Sequence, residues 1–228
     1  MACTGHLVRL VQAMTVFTSP LLMSSVRTVC MEGNPMNYST RWRWLNEPAT
    51  WRLEADRLEV VTEANTDFWQ ETWYGFRRHS GHVYGCDISG DFTFELKVEG
   101  DFTDLYDQAG LMLMLDERCW LKAAIEFNDS QPMISSVLTN PSSDWAPGIF
   151  PGDAACFWLR LTLKAGSLRL QYSTDGLHWP LLRLCPFPSG RRYFVGAMCC
   201  TPQRQGLAVT FSEMRVSAPS DKTLHDLS

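Results

Sequence analysis

The chain reads as all-β, an antiparallel β-sandwich or barrel, and three observations predict it. About a dozen short runs of alternating apolar and polar residues follow one another from residue 41 to 216. No helix-period run of twelve or more residues lies between them. The intervals carry turn residues, such as Ala165-Gly166 and Thr174-Asp175-Gly176. Short strands without helices bury their apolar faces against a second sheet, which means a sandwich or barrel.

Taken in order, Trp42, Trp44 and Leu45 lead into the turn Asn46-Glu47-Pro48. Thr50 to Ala55 and Arg57 to Thr62 predict an opening hairpin about Asp56. Residues 66–76 (TDFWQETWYGF) are aromatic without clean alternation, so they predict a structured loop carrying Trp69, Trp73, Tyr74 and Phe76. His82 to Cys86 reads as a strand. Asp91 to Glu99 alternates well, with Phe92, Phe94, Leu96 and Val98 inward and glycines at both ends.

The run from Asp107 to Phe127 predicts the central hairpin, with Gln108 to Leu115 and Cys119 to Phe127 as strands about Asp116-Glu117-Arg118. Side chains alternate across a strand. Ala109, Leu111, Leu113 and Leu115 therefore share an apolar face with Leu121, Ala123, Ile125 and Phe127. The opposite face carries Gln108, Gly110, Met112 and Met114, then Trp120, Lys122, Ala124 and Glu126. Such a mixture of ring, cation, anion and amide suits a groove for a polar ligand, and it equally suits a solvated sheet face.

Met133 to Thr139 is the next strand, and residues 140–152 (NPSSDWAPGIFPG) read as a Pro/Gly loop carrying Asp144 and Trp145. Ala155 to Lys164 and Ser167 to Ser173 form a further hairpin, answered by Leu177 to Leu184. Arg192 to Cys200 and Leu207 to Val216 complete the set. The result is one domain over residues 40–216, preceded by a leader over 1–39 and followed by a polar tail over 217–228.

Net charge is −5 and the basic residues are scattered, with Arg77-Arg78 and Arg191-Arg192 the densest clusters. That excludes an electrostatic nucleic-acid binder, which needs a basic stripe. No apolar run is long enough for a transmembrane helix. The eight cysteines include no C-x-x-C spacing and read as reduced thiols of an intracellular, cytoplasmic protein. Residues 1–31 hold Arg9 and Arg27, no acid and many Ser and Thr, the composition of a mitochondrial transit peptide as much as of a disordered extension.

The order YDQAGLML, DERCWLKAAIEF, SSVLTNPSSDW and YSTDGLHW, with WLNEP and TDFWQETWYGF upstream, resembles the regulation-of-enolase-protein family. That family is also catalogued as a domain of unknown function within the concanavalin A-like lectin/glucanase superfamily. The resemblance spans roughly residues 40–215. It implies a concanavalin A-like jelly roll, a groove on the concave sheet and, by the family's name alone, a glycolytic enzyme as protein partner.

The expected function is a non-catalytic binding or regulatory protein with a carbohydrate-like, small polar ligand. Gln108, Trp120, Lys122 and Glu126 form the expected groove, and Trp73, Tyr74, Asp144 and Trp145 its walls. The glucanases of the superfamily carry E-x-D-x-x-E or E-x-D-x-E runs, and this chain has none. Its alternative as a glycan- or sugar-phosphate-acting enzyme therefore rests on Glu126 as acid/base with a second carboxylate brought in by folding. A third reading is a protein–protein scaffold that uses the aromatic loop 68–76. Asp101, Asp104 and Asp107, spaced by three, have the character of oxygen ligands. A solvated acidic turn accounts for them, so neither metal nor cofactor is assigned.

Overall fold

The computed structural model describes residues 41–228; the leader and its possible import signal lie outside them. In chain order the strands are β1 (Arg43–Leu45), β2 (Thr50–Glu54), β3 (Arg57–Val61), β4 (Phe68–Gln70), β5 (Arg77–His79), β6 (His82–Ile88), β7 (Phe92–Gly100) and β8 (Gln108–Asp116). There follow β9 (Cys119–Asn128), β10 (Gln131–Thr139), β11 (Ser143–Ile149), β12 (Cys156–Lys164), β13 (Ser167–Ser173), β14 (Leu181–Pro186), β15 (Tyr193–Cys200) and β16 (Ala208–Ser217). Two seven-stranded sheets result. Sheet I runs β1-β6-β15-β8-β9-β10-β11 and sheet II runs β14-β13-β12-β7-β16-β3-β2, while β4 and β5 form a separate ribbon. All pairings within the sheets are antiparallel. No helix among the described residues is long and apolar enough to cross a membrane.

The main core lies between the sheets, and the period-2 pattern puts it there. Phe92, Phe94, Leu96 and Val98 of β7 meet Leu111 and Leu113 of β8 and Leu121, Ala123 and Ile125 of β9. Each such buried Phe, Leu, Ile or Val side chain contributes about 1.5–3 kcal/mol through removal from water. A second apolar cluster covers the opposite face of sheet I. Met112, Met114, Trp120, Val137 and Met198 pack there against Phe68 and Trp69. The sheet's outer face is thus dry where the β4–β5 ribbon lies on it and open beside it.

Several expectations from the sequence are corrected. The supposed loop 66–76 contains β4, which pairs with β5 in register Phe68↔His79 to Gln70↔Arg77. The supposed loop 140–152 contains β11, paired along β10 from Ser143 to Ile149. Neither alternates cleanly: the ribbon is too short, and Pro147 and Gly148 mask β11 at a sheet edge, where proline is tolerated. The run from Leu177 begins pairing only at Leu181, because Asp175 fixes the preceding turn by accepting bonds from the backbone N–H groups of Leu177 and His178. The segment after β16 is tied down: Arg169 donates to the carbonyls of Lys222 and Asp226, and Trp179 N–H donates to that of Leu227.

The vicinal thiols separate as strand geometry requires. Cys199 enters the core between the sheets and Cys200 the outer cluster. Burial pushes both thiols far above the ordinary cysteine range, so neither is a reactive thiolate. All six described cysteines are free.

Candidate functional site

Strand pairing builds the floor of the site. Gln108 of β8 lies directly opposite Glu126 of β9. Lys122, four residues before Glu126, projects from the same face, with Val137 of β10 as its neighbour across the strands. Trp145 of β11 pairs with Val137 one strand further out. Strands β8, β9 and β11 thus present an amide, a carboxylate, an ammonium and an indole on one face of sheet I, with Val137 of β10 among them. They line a cavity of about 210 Å³.

The ribbon and two loops close the sides. Asp67 and Trp69 come from the ribbon's first strand and the residue before it, Tyr74 and Phe76 from its tip, Tyr106 from the loop before β8, and Pro202 and Gln203 from the loop after β15. The tip is tightly folded. Glu71 N–H donates to the Phe76 carbonyl at 2.8 Å, Gly75 N–H to the Glu71 carbonyl at 2.7 Å, and the Trp69 indole to the Thr72 carbonyl at 2.9 Å. Tyr74 stacks on Phe76, and its hydroxyl meets that of Tyr106 at 3.1 Å across the cavity. That bond, with burial second, pushes the Tyr106 phenol up to about 12.

The electrostatics centre on three charged groups. Lys122 is 4% exposed and its Nζ donates to Asp67 Oδ1 at 3.1 Å. Burial opposes its charge most strongly, but Asp67 and, behind it, Glu126 raise its pKa, so the ammonium is retained. Glu126 is 6% exposed, and its Oε2 accepts from Ser135 Oγ at 2.9 Å and from the Trp145 indole at 3.2 Å. Burial raises its pKa above the ordinary carboxylate value despite the pull of Lys122 and these donors. Gln108 is 2% exposed; its Nε2 donates to the Tyr106 carbonyl at 3.3 Å, and its Oε1 has no partner. A buried acceptor without a donor costs about 1–3 kcal/mol, and a ligand hydroxyl would relieve that cost.

Five residues expected from the sequence line this cavity together: Gln108, Lys122, Glu126, Tyr74 and Trp145. Three do not. Trp120 is fully buried in the outer apolar cluster, where its indole donates to the Glu117 carbonyl, so it is a packing residue. Trp73 is 93% exposed at the ribbon tip and turned out of the cavity. Asp144 points to the opposite side of β11 from Trp145, as alternation demands, and pairs with Arg183. Asp67, Trp69, Phe76 and Tyr106 were not read as site residues. One signal could have found Asp67: a lysine buried in mid-sheet must meet a carboxylate, and Asp67 heads the aromatic segment.

The other acids and His82 have structural duties. Asp107 is fully buried, accepts the Thr103 and Asp104 N–H groups at 3.1 Å, and pairs with Arg204, which also reaches Asp104 at 3.1 Å. Arg204 therefore takes the place a cation would need. His82 bridges the Asn46 carbonyl at 2.7 Å and the Glu63 N–H at 3.2 Å.

A family described as "Protein of unknown function (DUF1349)" matches residues 44–219. The chain belongs to this family. It is 51% identical over 185 residues to "Regulation of enolase protein 1" of Saccharomyces cerevisiae, covering 81% of this chain and 93% of that one. It is also similar to a solved structure described as a functionally unknown protein from Saccharomyces cerevisiae, at TM-score 0.77 and 49% identity over 78% of this chain and 97% of that one. A GH43 protein, BlXynB, from Bacillus licheniformis matches at TM-score 0.61 and 16% identity, over 78% of this chain and 36% of that one. The last likeness shows the fold alone. The resemblance read from the motif order is borne out, and so is the jelly-roll sandwich of this DUF1349 protein.

Proposed function

We propose that this DUF1349 protein is a non-catalytic binding and regulatory protein whose cavity on the outer face of sheet I holds a small, polar, carbohydrate-like ligand. The observation that carries the reading is Gln108 Oε1, an acceptor buried without a partner beside Glu126 and Lys122 in a ring-walled cavity. Ligand sites combine apolar walls with a few placed polar groups in this way. The cavity is smaller than the roughly 300–1,000 Å³ of clefts for drug-sized molecules, so its occupant is one ring in size. The regulatory part rests on the similarity to Regulation of enolase protein 1, which makes enolase the protein partner to try first. The proposed compartment is the cytoplasm, with mitochondrial import through residues 1–31 as its rival.

A thermal-shift screen of the full chain against sugars, sugar phosphates and glycolytic intermediates tests the ligand, and an enolase assay with and without the protein tests the partner. A ligand at a hundredfold its Kd stabilises by about 2.7 kcal/mol, which is roughly 5–10 °C for a domain of this size. The expected result is such a shift, cut to roughly half to two-thirds in Gln108→Leu. A flat response to every compound would sink the ligand reading, and unchanged enolase turnover at saturating protein would sink the regulatory one.

A second reading, an enzyme with Glu126 as general acid, gains one observation: Asp67 is a second carboxylate on the same cavity. Its pairing with Lys122 and with the Phe68 N–H at 2.8 Å weakens it as a nucleophile or base. Absence of turnover on aryl glycosides by protein that binds ligand would dispose of this reading.

A further inference from the structure

We propose that the cavity takes a neutral polyhydroxylated ring, a monosaccharide or cyclitol, and discriminates against the phosphate ester of the same ring. The inference rests on the ligand-binding reading above and narrows it to a chemical class.

Charge is the first argument. The charged lining residues are Asp67, Lys122 and Glu126. The Lys122 ammonium is already matched by Asp67 at 3.1 Å. A negative charge that a ligand brings therefore meets Glu126 with no free cation among the described residues of the cavity to offset it. Phosphate sites are built from free arginines, free lysines or helix N-termini, and this cavity offers none of these. A phosphate ester would set a dianion beside a carboxylate in a water-poor space, where like charges repel far more than in bulk water.

Hydrogen-bond type is the second argument. Gln108 Oε1 needs a donor. The amide cannot be reversed to escape this, because its Nε2 already donates to the Tyr106 carbonyl. Lys122 has three donors, and Asp67 takes one. Glu126 Oε2 accepts two bonds while Oε1 makes none among the described residues. The ligand must therefore offer donors and acceptors close together. A hydroxyl offers both. A quaternary ammonium offers neither and would leave Gln108 and Lys122 unpaired, and a carboxylate offers acceptors alone and would leave Gln108 unpaired. The rings of Trp69, Tyr74 and Phe76 supply the apolar wall against which the C–H face of a sugar ring can lie.

The test is calorimetric titration of the full chain at pH 7. The probes are D-glucose, D-mannose, D-xylose and myo-inositol, the 6-phosphates of glucose and mannose, inositol 1-phosphate, and tetramethylammonium. At least one neutral probe is expected to bind, with its phosphate ester at least about tenfold weaker. Gln108→Leu should weaken the neutral probe by roughly five- to tenfold. Glu126→Gln, which keeps the shape and removes the repelling charge, should narrow the gap between neutral probe and ester, so the inference can be read even if Gln108→Leu does not fold. An ester or tetramethylammonium that binds more tightly than every neutral probe, and is weakened by either variant, would overturn the class and leave the cavity as a ligand site. Neutral binding indifferent to both variants would overturn the placement. No binding by any probe would overturn both this inference and the reading beneath it.

Discussion

The Lys122–Asp67 pair offers the sharpest test of the site's architecture. Replacing Asp67 by Ala removes the carboxylate that accepts from Lys122 Nζ and leaves an ammonium that is 4% exposed. Breaking a buried pair from one side costs about 3–5 kcal/mol. Glu126 also favours the Lys122 charge, so the lower end, about 3 kcal/mol, is expected. The reverse change, Lys122→Met, removes the more deeply buried charge. It leaves Asp67 with a side chain that is 14% exposed and still accepting from the Phe68 N–H, so it should cost about 1–2 kcal/mol. The double variant should be more stable than Asp67→Ala alone, since no unpaired ammonium remains. Urea unfolding at pH 7 reads all three from midpoints at unchanged slope; in a thermal scan the Asp67→Ala loss is roughly 6–12 °C. An Asp67→Ala variant within about 1 kcal/mol of the parent, or a double variant as unstable as the two single losses summed, would refute the reasoning.

Three further outcomes follow from the same geometry. Burial raises the Glu126 pKa above its ordinary 4.5, so the folded state holds this proton where the unfolded chain has released it. The associated stability is present below about 4.5 and lost as pH rises through the folded value; urea midpoints at pH 4, 6 and 8 should therefore shift progressively in favour of Glu126→Gln over the parent, and the opposite trend would count against the burial. Trp120→Ala should cost about 3–5 kcal/mol as a core truncation while the folded fraction keeps its ligand affinity, which calorimetry separates. Gly110→Ala would place a Cβ 1.9 Å from the Ala123 carbonyl oxygen, so β8 and β9 must part; a loss of about 1–3 kcal/mol or more is expected, and an unchanged urea midpoint would contradict the register.

The sandwich was legible because period-2 alternation is a local property that each strand writes for itself. The turn at Thr174-Asp175-Gly176 and the inward faces of β7, β8 and β9 could be read one run at a time. The ribbon could not, because three-residue strands are too short to show a period and their burial comes from lying on sheet I. The same gap explains the site. Gln108, Lys122 and Glu126 follow from their positions on neighbouring strands, but alternation cannot tell which side chains on a shared face stay open and which are roofed over. Trp120 and Lys122 lie on one face, two residues apart. Trp120 is sealed beneath Phe68, their rings 6.0 Å apart, and Lys122 lines the cavity beside it. Only the placement of the ribbon decides between those fates.

This dependence bears on how function can be carried between relatives. A strand advances about 3.3 Å per residue, so the backbones of Lys122 and Glu126 stand roughly 13 Å apart, and only their long side chains bring both heads onto one cavity. Each needs a helper from elsewhere in the chain: Asp67 from the head of the ribbon for Lys122, and the Ser135–Trp145 pair of β10 and β11 for Glu126. The sandwich supplies the second helper and the ribbon the first. A 16% identical match to a GH43 protein speaks for the sandwich and is silent on the ribbon. Shared chemistry should therefore be sought at Asp67, Gln108, Lys122 and Glu126 together, and a relative that keeps the two sheets but changes Asp67 to an uncharged residue should either lose the buried lysine as well or forfeit the cavity.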